Sequence, residues 1–159
     1  MSTPPPLPPI RLAGLDDVPA LVAANVAMAL ETEGKALDPA RVELGVRGLL
    51  ERPEAGFYLV AADGQASAGS LMVTPEWTDW RNGWFWWIQS VYVAPPWRGQ
   101  GVYRALHEDV ERRAREHGRV VGLRLYVERE NEGARRVYER LGMTETAYRL
   151  YEVAIGRSG

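Results

Sequence analysis

One segment restricts the possible folds of this chain more than any other, because it joins two strands through a helix. Residues Trp84–Val93 are aromatic and β-branched, which predicts a strand that the Pro95-Pro96 pair ends. Gly101–His117 carries apolar side chains at the helical period, and Val120–Val127 alternates as a strand does. Strands joined through a helix lie parallel in one sheet, so this unit indicates an α/β fold.

The flanking segments extend this unit into a larger sheet. Asp63-Gly64 and Asn82-Gly83 are turn pairs of the kind that join antiparallel strands. Further helices are predicted at Val18–Leu30 with Asp16 and Asp17 as the cap, at Asp38–Glu51 with Asp38-Pro39 at the start, and after the cap residue Asn131. Further strands are predicted at Ile10–Ala13, Phe57–Ala62, Ala66–Val73 and Thr144–Ile155. We expect a central mixed β-sheet with helices on both faces. A single domain over residues 10–157 would follow a flexible proline-rich tail at residues 1–9.

The composition argues against several classes of protein. The formal net charge of -2 gives no attraction to nucleic acid or to a membrane surface. No apolar run reaches the roughly 20 residues of a membrane span, and Met1–Pro9 lacks the features of a secretory signal. The absence of cysteine excludes disulfides and is compatible with a cytoplasmic protein. Two histidines are too few for a histidine-rich metal site, and His107 and His117 are predicted to lie on the surface.

The loop between the long strand and the following helix has the features of an anion site. Glycines let a backbone approach an anion closely, and the first N–H groups of a helix have no partner inside it. Arg98 adds a permanent positive charge beside Gly99 and Gly101. Neither the Walker pattern nor the Gly-x-Gly-x-x-Gly pattern is matched. The alternative is an ordinary turn from strand to helix.

Two motifs in this sequence resemble those of one family. Arg98-x-x-Gly101-x-Tyr103 is similar to the acyl-CoA signature Gln/Arg-x-x-Gly-x-Gly/Ala of the GNAT superfamily of N-acetyltransferases. A downstream stretch resembles the second motif of that family: Asn131-x-x-Ala134-x-x-x-Tyr138-x-x-x-Gly142-Met143. The predicted element order is also similar to that fold over residues 10–155. Tyr103 departs from the family pattern, because a bulky side chain replaces Gly or Ala beside the expected phosphates.

The resemblance implies a cofactor and a reaction. Acetyl-CoA would lie between two splayed parallel strands, and a neutral amine would attack the thioester carbon. Tyr138 would act as general acid toward the departing thiolate, and a backbone N–H near Val91 or Tyr92 would stabilise the oxyanion. The residues expected to bind the cofactor are Val91, Tyr92, Val93, Arg98, Gly99, Gln100, Gly101, Val102, Tyr103, Asn131 and Arg135. No metal is implied.

The sequence specifies the residues that bind and deprotonate the acceptor amine less clearly than those that bind the cofactor. An ammonium has to lose a proton before attack, and Glu33 is the candidate base; a solvated helix end is the simpler interpretation of this residue. The stretch from Trp77 to Trp87 is rich in aromatic residues, which suit an apolar or cationic acceptor, a core or a homodimer interface. The predicted acceptor-binding residues are Glu31, Trp80, Trp86 and Ser90.

The function predicted from these patterns is N-acetylation of a primary amine on a small molecule or peptide. The first alternative is a non-catalytic domain of the same fold that binds or senses acyl-CoA. The second is a tryptophan-rich module for sugars or single-stranded nucleic acid, and an isoelectric point near 5.8 disfavours the nucleic acid.

Overall fold

The computed structural model describes residue 3 and residues 5–64 and 66–156. The chain divides into two compact units, residues 1–126 and residues 127–159. The first unit contains strands β1 (Ile10–Leu12), β2 (Phe57–Asp63), β3 (Ala66–Thr78), β4 (Gly83–Val93) and β5 (Val120–Arg124), and helices α1 (Val18–Glu33), α2 (Pro39–Leu50) and α3 (Val102–His117). The second unit contains α4 (Glu132–Arg140). None of the helices that the structure describes is long and apolar enough to span a membrane.

The five strands form one sheet in the order β1-β2-β3-β4-β5. The first four are antiparallel neighbours, whereas β4 and β5 run parallel because α3 connects them. The mixed sheet expected from the sequence is therefore confirmed.

Two apolar layers cover the two faces of the sheet. Alternate residues of a strand point to opposite faces, and β2 shows this clearly. Leu59 and Ala61 are buried in the layer that contains α3, whereas Tyr58 and Val60 are buried in the layer that contains α1 and α2. Helices lie on both faces, as the sequence predicted.

Strand β3 is longer than predicted, because it continues past Val73 to Thr78. The extension contains Pro75, which lies opposite Trp86 of β4. Proline is tolerated where one side of a strand is an edge, and the pairing of β2 with β3 ends at the Phe57–Val73 pair. Among the described strands, the extension therefore pairs with β4 alone and is an edge of the sheet on its other side.

The start of α1 differs from the expected helix cap. Asp17 makes no side-chain bond to the first turn of α1. Its carboxylate instead accepts two hydrogen bonds from Arg11, at 2.7 and 2.9 Å, and one from the N–H of Gly14 at 2.8 Å. The bonds from Arg11 hold the pKa of Asp17 below its ordinary value, although burial acts in the opposite direction. The pair therefore ties the end of β1 to the beginning of α1.

The second unit contains a correction to the sequence prediction. Asn131 caps α4 as expected, since its side chain accepts from the N–H of Ala134 at 3.2 Å. The strand predicted at Thr144–Ile155 is wrong, because the structure assigns no strand to these residues. Strand-like composition is not sufficient for a strand, which exists only through hydrogen bonds to a neighbour. Tyr151 and Ile155 are 94% and 93% exposed.

Candidate active site

The parallel pair of β4 and β5 opens part-way along the sheet. Their pairing begins at Trp84 and Val120 and ends at Trp87 and Arg124. Strand β4 continues to Val93, and within the described residues this last part pairs only with β3. The backbone of β4 beyond Trp87 therefore forms a strand edge. A ligand with amide groups can hydrogen-bond to such an edge as a neighbouring strand would.

A β-bulge lies at the middle of this edge. Ser90 and Val91 of β4 stand opposite the single residue Leu71 of β3. Ser90 has a φ of 51°, a left-handed conformation that is uncommon for a residue other than glycine. Bulges re-aim backbone and side-chain groups and occur often beside active sites. The sequence did not predict this feature, because a bulge is defined by two strands in register.

The glycine loop turns β4 into α3 through a short 3₁₀ turn at Pro95–Trp97. Gly99 and Gly101 have φ values of 74° and 87°, which an L side chain rarely adopts. A Cβ atom at either position would meet no other atom within 4 Å, so the backbone conformation, not crowding, requires glycine. No described side chain caps the start of α3, and the first N–H groups of a helix are the groups that bind anions at such a position.

Arg98 is held in place by three contacts. Its Nε donates to the carbonyl oxygen of Val93 at 2.9 Å, and its Nη2 donates to the Glu31 carboxylate at 2.7 Å. Its guanidinium also lies over the ring of Tyr92, 5.6 Å from the centroid. The structure thus brings together Arg98, predicted as a cofactor residue, and Glu31, predicted as an acceptor residue.

Tyr103, the departure from the family motif, is directed along α3. The hydroxyl of Tyr103 is 3.1 Å from Nδ1 of His107, and Nε2 of His107 is 3.1 Å from the Glu111 carboxylate. His107 is only 1% exposed, so its predicted surface position is wrong. All three groups are satisfied when Tyr103 donates to Nδ1 and Nε2–H donates to Glu111. The ring of Tyr103 packs against the core layer of α3.

The two faces of β4 separate its tryptophans. Trp86 is 8% exposed and belongs to the core layer of α3, which makes it a core residue. Gln89 lies opposite Met72, which packs in the layer of α1 and α2, and alternation places Trp87 on this same face. Trp87 is half-buried and contacts Tyr126, with 5.9 Å between the ring centroids.

The predicted acceptor residue Trp80 and the predicted base Glu33 are both exposed. Trp80 lies in the turn between β3 and β4 and is 90% exposed. Glu33 is the last residue of α1, and its carboxylate is 3.9 Å from Nζ of Lys35.

Comparisons with known proteins agree with this geometry. Residues 25–143 match the model of the acetyltransferase (GNAT) family. The chain belongs to the GNAT family of acetyltransferases. Among curated proteins, none is significantly similar in sequence to this chain.

Solved structures of other proteins are similar to this GNAT chain. A possible acetyltransferase from Clostridium difficile 630 is 39% identical, with 96% of this chain and 100% of that chain covered and a TM-score of 0.87. A probable acetyltransferase is 25% identical, with 94% and 99% covered and a TM-score of 0.81. A predicted acetyltransferase with acetyl-CoA from Clostridium acetobutylicum is 18% identical, with 91% and 95% covered and a TM-score of 0.74; that likeness shows the fold.

The second unit of the GNAT chain holds three predicted site residues. Tyr138 lies on α4 and is half-buried, and burial raises its pKa above the ordinary value. Asn131 is the N-cap of that helix. Arg135 donates from Nη1 to the carbonyl oxygen of Arg129 at 3.4 Å and from Nη2 to Glu145 at 3.3 Å.

Among the residues that the structure describes, no three or more His, Asp or Glu side chains are grouped so that they could hold a metal ion.

Proposed function

We propose that this GNAT acetyltransferase transfers an acetyl group from acetyl-CoA to a primary amine of a small molecule or peptide. The observation that carries the proposal is the open edge of β4, which ends directly before an uncapped helix N-terminus. A long ligand with amides at one end and a diphosphate at the other matches this order, because its amides can pair with the strand edge and its diphosphate can bind at the helix N-terminus.

The residues of the chain have separate tasks in binding acetyl-CoA. The backbone of Val91 and Val93 would pair with the amides of the pantetheine arm. The N–H groups from Gly99 to Tyr103 would bind the diphosphate, because the two positive-φ glycines leave the space above them open. Asn131 and Arg135 stay in the proposal as cofactor-binding residues.

Bound acetyl-CoA supplies an activated acyl group, and the chain supplies proton transfer and charge stabilisation. We assign the general acid to Tyr138, whose raised pKa keeps the phenol protonated well above neutral pH. A backbone N–H of Val91 or Tyr92 would stabilise negative charge on the carbonyl oxygen. The bulge at Ser90 supports this role, because it changes the direction of the neighbouring N–H groups.

The acceptor would approach on the face of β4 that carries Trp87. This face presents the Trp87–Tyr126 pair beside the point where β4 and β5 separate. Aromatic rings suit an amine that arrives as an ammonium or carries an apolar group. Trp87 therefore replaces the core residue Trp86 in the proposed acceptor site, and Ser90 and Trp80 stay in it. Glu33 is proposed as the base.

A thiol-release assay with acetyl-CoA tests the proposed function. The panel of acceptors should include polyamines, aminoglycosides, amino acids, aryl amines and peptide N-termini. Release above the acceptor-free rate, together with a mass increase of the acceptor by one acetyl group, supports the proposal. Stoichiometric binding of CoA with no release across the panel would favour the sensor alternative.

A further inference from the structure

The Glu31–Arg98 pair joins two parts of the first unit that are distant in sequence. Glu31 lies near the end of α1, and Arg98 follows β4 and directly precedes Gly99. Both side chains are close to half exposed, at 42% and 48%. An ion pair of this exposure contributes little to stability, so a stability role does not account for the geometry.

Two donor nitrogens of Arg98 bind protein groups. Nε binds the carbonyl oxygen of Val93, the last residue of β4, and Nη2 binds Glu31. The guanidinium also lies over the ring of Tyr92, so three contacts hold this side chain. A guanidinium held in this way is oriented toward the end of β4 and toward α1.

We infer that Glu31 is a positioning residue for the acyl-CoA site, and that it acts through Arg98. Glu31 fixes the guanidinium, the guanidinium fixes the Val93 carbonyl, and the backbone of Arg98 fixes the start of the Gly99–Gly101 cradle. The inference rests on the proposed function, since it gives this pair a role in holding the edge of β4 and the diphosphate loop at their correct separation.

Two other roles for the pair predict different results. If Arg98 contacted the diphosphate directly, Glu31 would compete with the phosphates for it, and removal of the Glu31 charge would tighten CoA binding. If Glu31 bound the acceptor directly, its loss would raise the KM for the acceptor and leave CoA affinity unchanged. A positioning role predicts weaker CoA binding.

The experiment is calorimetric titration of CoA into the full-length protein and three variants. Glu31→Gln keeps the side-chain volume but removes the charge, and Arg98→Lys keeps the charge but removes Nε and the planar guanidinium. We expect each variant to raise the Kd of CoA roughly 5-fold to 10-fold. The double variant should be no weaker than Arg98→Lys alone, because Glu31 acts only through Arg98. With an acceptor in hand, the KM for acetyl-CoA should rise with kcat changed less than about 2-fold.

A matched control is Glu43→Gln, which removes a half-exposed Glu–Arg pair, Glu43–Arg47, from α2. Its CoA affinity should equal that of the unaltered protein, and all variants should unfold at similar temperatures. Unaltered or tighter binding by Glu31→Gln, or additive effects in the double variant, would overturn the positioning role while the proposed function stands. Failure of the unaltered protein to bind CoA would overturn both.

Discussion

Trp87 of β4 lies opposite Arg124 of β5, and this pair is the last one in the parallel part of the sheet. Beyond it β4 bends at the Ser90 bulge and ends at Val93, before the glycine loop. The open edge, the bulge and the first turn of α3 thus follow one another along a single stretch of chain. Acyl-CoA binding at the proposed site depends on this arrangement.

Gly101→Ala should weaken CoA binding. Alanine at a φ of 87° is strained by about 1–2 kcal/mol, and the strain is relieved if the backbone turns away from the cradle conformation. We expect the Kd of CoA to rise roughly 10-fold, measured by calorimetric titration. The control is Gly118→Ala at the other end of α3, where φ is 81° and a Cβ also meets no atom within 4 Å. The control should lose similar stability and keep its CoA affinity; equal Kd changes in both variants would contradict the prediction.

Tyr138→Phe should lower kcat by about 100-fold or more, because the departing thiolate would lose its proton donor. Burial raises the pKa of Tyr138, so any alkaline loss of activity from its ionisation should appear only above about pH 10. Steady-state kinetics as a function of pH measures both effects. The KM for acetyl-CoA should change little.

Tyr58→Phe is the control for this substitution. Tyr58 is a second buried tyrosine whose pKa burial raises, and it packs in the layer of α1 and α2. Removal of the Tyr58 hydroxyl should leave kcat unchanged. A kcat of Tyr138→Phe equal to that of the control would remove Tyr138 from the mechanism.

Trp87→Leu should raise the KM for the acceptor roughly 10-fold and leave the Kd of CoA nearly unchanged. The reason is the position of its ring on the face of β4 that we assign to the acceptor. Trp77→Leu is the comparison, since Trp77 lies near the end of β3 and its ring contacts Trp84 instead. Identical acceptor kinetics in the two variants would show that the acceptor binds elsewhere.

Asp17→Asn should destabilise the fold by about 1–2 kcal/mol, because Arg11 would lose a charged partner. The pKa of Asp17 is lower in the folded chain than in the unfolded one, so the stabilisation is present above the unfolded value of about 3.9. This stabilisation is lost as the pH falls through the pKa of Asp17 in the folded chain. Chemical denaturation should therefore show a constant difference in free energy of unfolding between the unaltered protein and Asp17→Asn above about pH 5. The difference should shrink below about pH 4. The control is Asp16→Asn at the exposed neighbouring residue, which should lose little stability at pH 7.

The sequence predicted the elements whose signals are local. The Asp38-Pro39 start of α2 and the Asn131 cap of α4 were both predicted, because capping depends on residues within one turn. The end of α1 was placed at Leu30, whereas the helix continues to Glu33 and ends at Gly34, which has a φ of 64°. The left-handed glycine is the stronger stop signal at this position.

Features that depend on distant residues could not be predicted. The Ser90 bulge needs the register of β3, and the Glu31–Arg98 pair joins residues 67 positions apart. The burial of His107 follows from the packing of α3 on the sheet, which the helical pattern alone does not determine for a polar residue. The strand predicted at Thr144–Ile155 was wrong for the same reason. Its residues have the composition of a strand, but a strand forms only beside a neighbouring strand, which composition does not identify.

Amide hydrogen exchange with and without CoA tests the central claim most directly. CoA should slow exchange at two places: the β4 edge at Val91 and Val93, and the N–H groups from Gly99 to Tyr103. Protection at both places, with amides of α2 unchanged, is the predicted result. Saturating CoA that leaves both places unprotected would contradict the account.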